Sequence, residues 1–146
     1  MGLAVLSAND QRAIRKLLAA VAQNASVDPK QSLFTRQARG SRLRDFFAQE
    51  VTLKSSGADR IPESIHGRGE LMDCINAARA SLKEATFHFG RPQIEVTKDR
   101  TSAVVTVLLE GELNGERDAF RQRLSMALRR VEGRWLIAEI EARGGE

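Results

Sequence analysis

The chain has no tyrosine, one tryptophan, one cysteine, two histidines and three prolines, and each scarcity excludes something. A lone Cys74 leaves no intrachain disulfide and no cysteine-rich metal site. Aromatic residues make up only 5% of the chain, so stacking platforms for single-stranded nucleic acid are poorly supplied. No apolar run approaches the length that spans a bilayer. The leading MGLAVLSA is apolar but lacks the basic flank and the length of an export signal, and a cytoplasmic chain is expected. Met1-Gly2 opens like a myristoylation signal, yet Leu6 stands where Ser or Thr is required.

What is present fits one soluble domain over residues 1–146, long enough for a core without disulfides or metals. The net charge of +4 comes from arginines interleaved with acids rather than from a basic block. Arg36, Arg39, Arg42 and Arg44 are the densest basic group, and Arg121, Arg123, Arg129 and Arg130 form a second. Without interleaved aromatics or a reading helix, these read as solvated faces or subunit-contact charges, not as a nucleic-acid site.

The first helix carries Ile14, Leu17, Leu18 and Val21 on one face, with Ser7 and Asp10 spaced as a capping box. A second helix is expected from Asp28 as cap and Pro29 at the first turn, buried through Leu33 and Phe34 and ended by Gly40. Leu43, Phe46 and Phe47 are the apolar positions of one further turn opened by Ser41. EVTLKSS alternates as a half-buried strand, and RIPESIH, with Pro62, reads as an edge piece or loop. Leu71, Cys74, Ile75, Ala78 and Leu82 then mark a third helix.

Beyond Lys83 the texture turns to strands, with a turn signal at Lys98-Asp99 and a stretch from Val104 to Leu109 that is apolar on both faces. Residues 118–131 fit both periods. The Glu132-Gly133 connection before the alternating RWLIAEI reads as a hairpin and decides for strands. Helices first and then a meander of four long strands make an α+β domain, its helices on one face of the sheet.

Several residues invite chemistry. Cys74 and His66 lie near each other in sequence, but Cys74 falls on the apolar helix face, where an inert thiol belongs; a nucleophile needs an electropositive, partly exposed setting and a base. Gly67-Arg68-Gly69 at a helix start could hold an anion, yet a tight strand-to-helix turn explains it equally. His88, between Phe87 and Phe89, points to the face opposite both rings, as a pocket base or a subunit-contact residue. Glu110 with Glu112, and Glu139 with Glu141, share strand faces and would split their pKa values only if buried together. No spacing of His and carboxylates suggests a metal, and no cofactor motif is found.

The order of these pieces, with the segments DFFAQEVTL, IHGRGELMDCI, FHFGRPQIEVTKDRTSAVV and EGRWLIAEIEA, resembles the nuclear transport factor 2-like superfamily, whose bacterial members include SnoaL-like cyclases and ketosteroid isomerases. The resemblance implies a curved antiparallel sheet wrapped on helices into a cystatin-like cone. It also implies an apolar pocket at the open end and dimerisation through the outer sheet face. Phe34, Phe47, His66, Met72, Phe87, Met126 and Trp135 are the candidate pocket residues. The isomerase oxyanion hole uses a tyrosine beside a protonated aspartate, with another aspartate as base. This chain has no tyrosine, so that donor is missing.

Two readings stand. One is a homodimeric pocket protein that binds a small, largely apolar molecule in the cone, without cofactor, nucleic acid or membrane. The other is an isomerase, dehydratase or cyclase with His88 or a strand glutamate such as Glu110 as base. Geometry discriminates them, since the enzyme needs a His or carboxylate facing the cone without a salt-bridge partner.

Overall fold

A computed structural model of the chain describes residues 2–56 and 62–143. Helix α1 (Gly2–Ala25), helix α2 (Leu33–Leu43) and a 3-10 turn (Arg44–Phe46) lead into strands β1 (Phe47–Ser56) and β2 (Ser64–His66). Helix α3 (Arg68–Ala80) follows, then β3 (Ala85–Phe89), β4 (Gln93–Val96), β5 (Ser102–Leu113), β6 (Glu116–Val131) and β7 (Arg134–Arg143). This is the α+β order expected from the sequence.

The strands form one open sheet in the order β2-β1-β7-β6-β5-β3, with β4 also pairing on β5. It is mixed rather than purely antiparallel, because β1 runs parallel to β7. Register shifts interrupt the β1–β7, β5–β6 and β6–β7 ladders, and such bulges bend and twist the strands that carry them. The first of the four expected long strands is two: Gly90 to Pro92 separates β3 from β4, and Pro92 has no N–H for a ladder. Residues 118–131 do lie in a strand. The β6–β7 turn has positive φ at Glu132 and Gly133, 51° and 80°, and Asn114-Gly115 between β5 and β6 repeats that pattern at 50° and 84°. Such turns match the twist of the strands they join.

Alternation divides the sheet into two faces. Val105 and Val107 on β5, Leu124, Met126 and Leu128 on β6, and Trp135 and Ile137 on β7 are buried on the inner face. They pack with Ile14 and Leu18 of α1, Leu43 of α2, and Leu71 and Met72 of α3 in one cluster. Val104, on the outer face, is 50% exposed.

The helix starts differ from expectation. α1 begins at Gly2, so Ser7 lies within the helix rather than at its start. α2 is capped by Ser32, whose Oγ accepts from Thr35 N–H at 3.1 Å, while Asp28 and Pro29 form the turn ahead of it. Leu33 and Phe34 are 68% and 80% exposed and do not bury the helix. Its inward positions are Gly40 and Leu43, and it continues through Gly40 instead of ending there. The missing side chain admits Arg79, whose Nη1 lies 2.5 Å from where a Cβ on Gly40 would stand.

Candidate functional site: a groove between the first helix and the sheet edge

Helix α1 ends across β3, an edge of the sheet, and three contacts fasten it there. Val27 and Ala85 exchange backbone hydrogen bonds of 2.8 and 2.9 Å. Ser26 Oγ accepts from Phe87 N–H at 3.0 Å, satisfying an edge-strand donor, and donates to the Ala22 carbonyl at 2.8 Å. Val27, Ala85 and Leu113 form a small buried cluster to which Phe87 and Phe120 add. The two rings meet edge to face, with centroids 6.2 Å apart. Gly111 makes room for them, since a Cβ there would stand 2.8 Å from the Phe87 ring.

Beside this joint runs a groove of about 520 Å³. Its helix side is Arg15, Leu18, Ala19, Ala22, Gln23 and Ser26; its strand side runs from Thr86 to Gly90 with Pro92, and Arg39 of α2 closes it. That size falls in the range of small-molecule sites, which are mostly apolar with a few placed polar groups. The small side chains of Ala19, Ala22 and Gly90 leave the space; Leu18, Phe87 and Phe89 supply the apolar surface.

The rim is cationic. Neither Arg15 nor Arg39 lies in an ion pair among the described residues, and no carboxylate is among the lining residues. Beyond Arg39, Arg79 donates to the Ala25 carbonyl at 3.3 Å and the Arg36 carbonyl at 3.2 Å, tying α3 to the ends of α1 and α2. Burial, and then the positive charges of Arg36 and Arg39, lower the pKa of Arg79.

Of the candidate pocket and catalytic residues named from the sequence, the structure brings Phe87 and His88 to the groove, and with them Arg39 of the first basic group. His88 itself is turned outward, 62% exposed, with Nε2 3.5 Å from Glu110 Oε1, and the other Glu110 oxygen lies 3.6 Å from Arg121 Nε. Phe47, Met72, Met126 and Trp135 are buried in the main cluster, and Phe34 stands on the surface of α2. His66 is exposed on β2, whereas Cys74 is half-buried against the core from α3. Gly67, at φ 92°, caps α3 through its backbone, and Arg68 donates to the Phe47 carbonyl at 3.5 Å, so Gly67-Arg68-Gly69 forms a turn. Glu112 and Glu141 pair loosely with Arg117 and Arg143 at 3.9 and 3.6 Å, and Glu139 is exposed.

Sequence reasoning missed the most buried ion pair among the described residues, in which the carboxylate is buried and the guanidinium partly exposed. Asp10, expected as part of a cap, is 4% exposed and takes both oxygens to Arg100 in the β4–β5 turn. Asp99 organises that turn: its Oδ1 accepts from Thr97 Oγ1, Thr101 Oγ1 and Thr101 N–H at 2.6, 2.8 and 3.1 Å. The three bonds hold its carboxyl below the usual pKa. Among the described residues, no group of three or more His, Cys, Asp and Glu could hold a metal ion, and no helix is long and apolar enough to cross a membrane.

An open curved sheet with helices on its inner face defines the cystatin-like cone of the nuclear transport factor 2-like superfamily. Solved structures agree. A Nostoc punctiforme protein of unknown function with that fold matches at TM-score 0.70 and 12% identity, over 91% of this chain and 89% of the other. A provisionally assigned scytalone dehydratase from Novosphingobium aromaticivorans matches at 0.69 and 13%, over 96% and 87%. A provisionally assigned ketosteroid isomerase from Parabacteroides distasonis matches at 0.58 and 19%, over 87% and 80%. No curated protein matches the chain. The SnoaL-like domain model matches residues 7–141, and the chain belongs to that family.

Proposed function

We propose that this SnoaL-like protein binds a small, largely apolar ligand in the groove between α1 and β3, as a homodimer and without catalysing a reaction. The groove of about 520 Å³ carries the reading, with apolar surface from Leu18, Ala22, Phe87 and Phe89. Deeper in the cone, positions such as Val105, Met126 and Ile137 are filled by core packing, which favours the seam over the axis as the site. The dimer is supported by the outer sheet face, where Val104 is half exposed and Leu108, on the same face two positions beyond Thr106, is partly exposed.

The isomerase, dehydratase or cyclase alternative needs a base facing the ligand. Among the described residues, Asp10 is buried but committed to Arg100, and His88 pairs outward with Glu110. A general base must reach the proton that it abstracts, and neither arrangement favours that.

The neutral fluorophore N-phenyl-1-naphthylamine tests the groove. Its emission should rise on adding the protein, and Ala19→Trp, which fills the groove from an exposed position on α1, should abolish the rise. Equal emission with the folded variant would place the ligand elsewhere, and no rise with either protein would remove the reading.

A further inference from the structure

The ligand's charge can be read from the groove as well. We infer that the groove selects apolar molecules that carry a carboxylate, through Arg15 and Arg39, an inference that rests on the groove being the binding site. The two guanidinium groups come from different elements, α1 and α2, yet line one cavity whose other side chains are neutral or, at His88, turned outward. Arginines exposed at a surface usually find acids as neighbours. Here Arg121, Arg129, Arg117 and Arg143 each lie beside a glutamate, while Arg15 and Arg39, like Arg12, Arg42 and Arg91, have no such partner among the described residues; what sets Arg15 and Arg39 apart is that both line one cavity.

Position compounds this. Arg39 is only half exposed, and its positive charge, after burial and with that of Arg36, disfavours the charge on Arg79. Arg79 cannot turn away, because it is held by the Ala25 and Arg36 carbonyls. A cluster of cations without counterions is relieved by a bound anion, and a guanidinium fork matches a carboxylate geometrically. The remaining lining sets the rest of the molecule. Leu18, Ala22, Phe87, Phe89 and Pro92 offer a surface for rings or an alkyl chain, with Gln23 and Ser26 as the neutral polar groups.

The test uses a matched pair, 2-naphthoate and 2-naphthamide, each displacing N-phenyl-1-naphthylamine from the folded protein at low salt. The two probes share their ring system and differ in charge. The acid should bind about tenfold more tightly, the scale of one hydrogen bond to a charged group. Arg15→Gln or Arg39→Gln should erase most of that preference by weakening the acid far more than the amide, and the preference should shrink with added salt. Equal binding of acid and amide would overturn the inference and leave the groove as an apolar site. An acid preference untouched by both substitutions would overturn it too, by placing the anion elsewhere. Failure of the fluorophore itself to bind would instead remove the groove reading on which the inference stands.

Discussion

Asp10 on the first helix and Arg100 at the tip of the β4–β5 turn form a two-pronged pair, with Oδ2 2.6 Å from Nε and Oδ1 3.0 Å from Nη2. Arg100 adopts φ 60°, a left-handed conformation uncommon for a side-chain-bearing residue, and the Asp99 cage beside it holds the turn that presents it. The pair clamps the helix layer to the far end of the sheet. Its hydrogen bonds to Arg100 lower the Asp10 pKa against the opposing effect of burial, with smaller help from Trp135 and Arg130.

Asp10→Asn should therefore destabilise the fold by about 2 kcal/mol, the scale of hydrogen bonds to a charged group. The sign of the pH dependence follows from the lowered pKa. The folded state holds fewer protons on Asp10 than the unfolded chain does, so the contribution is full above the unfolded value and is lost as pH falls through the folded one. Urea melts of both proteins should stay separated near neutrality and converge from roughly pH 5 downward. A constant separation to low pH would mean that the ionised pair is not what Asp10 contributes.

Gly111 is the next position with a sharp expectation. A Cβ there would stand 2.8 Å from two atoms of the Phe87 ring and 3.5 Å from Phe120 Cβ. Gly111→Ala must push the ring off the strand, an overpacking change that costs roughly 1–3 kcal/mol. Phe87 also lines the groove, so ligand affinity should fall with stability. Thermal melts and fluorophore titration of one variant check both; unchanged affinity in a destabilised protein would detach Phe87 from the site.

His88 should behave oppositely. Its ring is 62% exposed and makes a single long contact with Glu110. His88→Ala should change stability by no more than about 0.5 kcal/mol, as surface substitutions usually do. It should also leave groove binding intact, because the side chain points away from the cavity. A loss of several kcal/mol in a denaturation curve would contradict that placement.

The strands were more legible than the helix boundaries. In β6 the buried Leu124, Met126 and Leu128 sit two apart, and Glu132-Gly133 fixes the turn, so two local signals agree. At α2 two start signals compete: Asp28 closes its own turn by accepting from Lys30 N–H at 2.9 Å, and Ser32 then caps the helix. Large apolar residues were natural pocket candidates, yet Phe47, Met72 and Met126 went to the core because burial rewards them most. The groove is made by small residues whose role is to leave space, which periodicity does not mark. The Asp10–Arg100 pair joins positions 90 residues apart, and nothing local announces it.

The outer sheet face leads to the expectation about assembly. On β5, Val104 is 50% exposed, and Thr106 and Leu108 follow it on the same face. Ala127 and Ser125 lie opposite Val104 and Thr106 on β6. Around them, Arg121 pairs with Glu110 within the sheet, while Arg129 reaches across to Glu50 of β1. Val104, Leu108 and Ala127 are the apolar members of a mixed face that also carries Thr106 and Ser125, with Glu95 of β4 opposite Val104, and subunit contacts are often of such mixed polarity with charges at the rim. Covering it gains roughly 25 cal/mol for each Å² of apolar area removed from water, and a two-fold axis lets one patch cover its own copy. Sedimentation at micromolar concentration should give twice the chain mass. Val104→Arg or Leu108→Glu should shift it to the single-chain mass, with little change in helix and strand content by circular dichroism. A wild-type chain that sediments as a monomer at that concentration would refute the dimer, and a dimer indifferent to both substitutions would move its interface off this face.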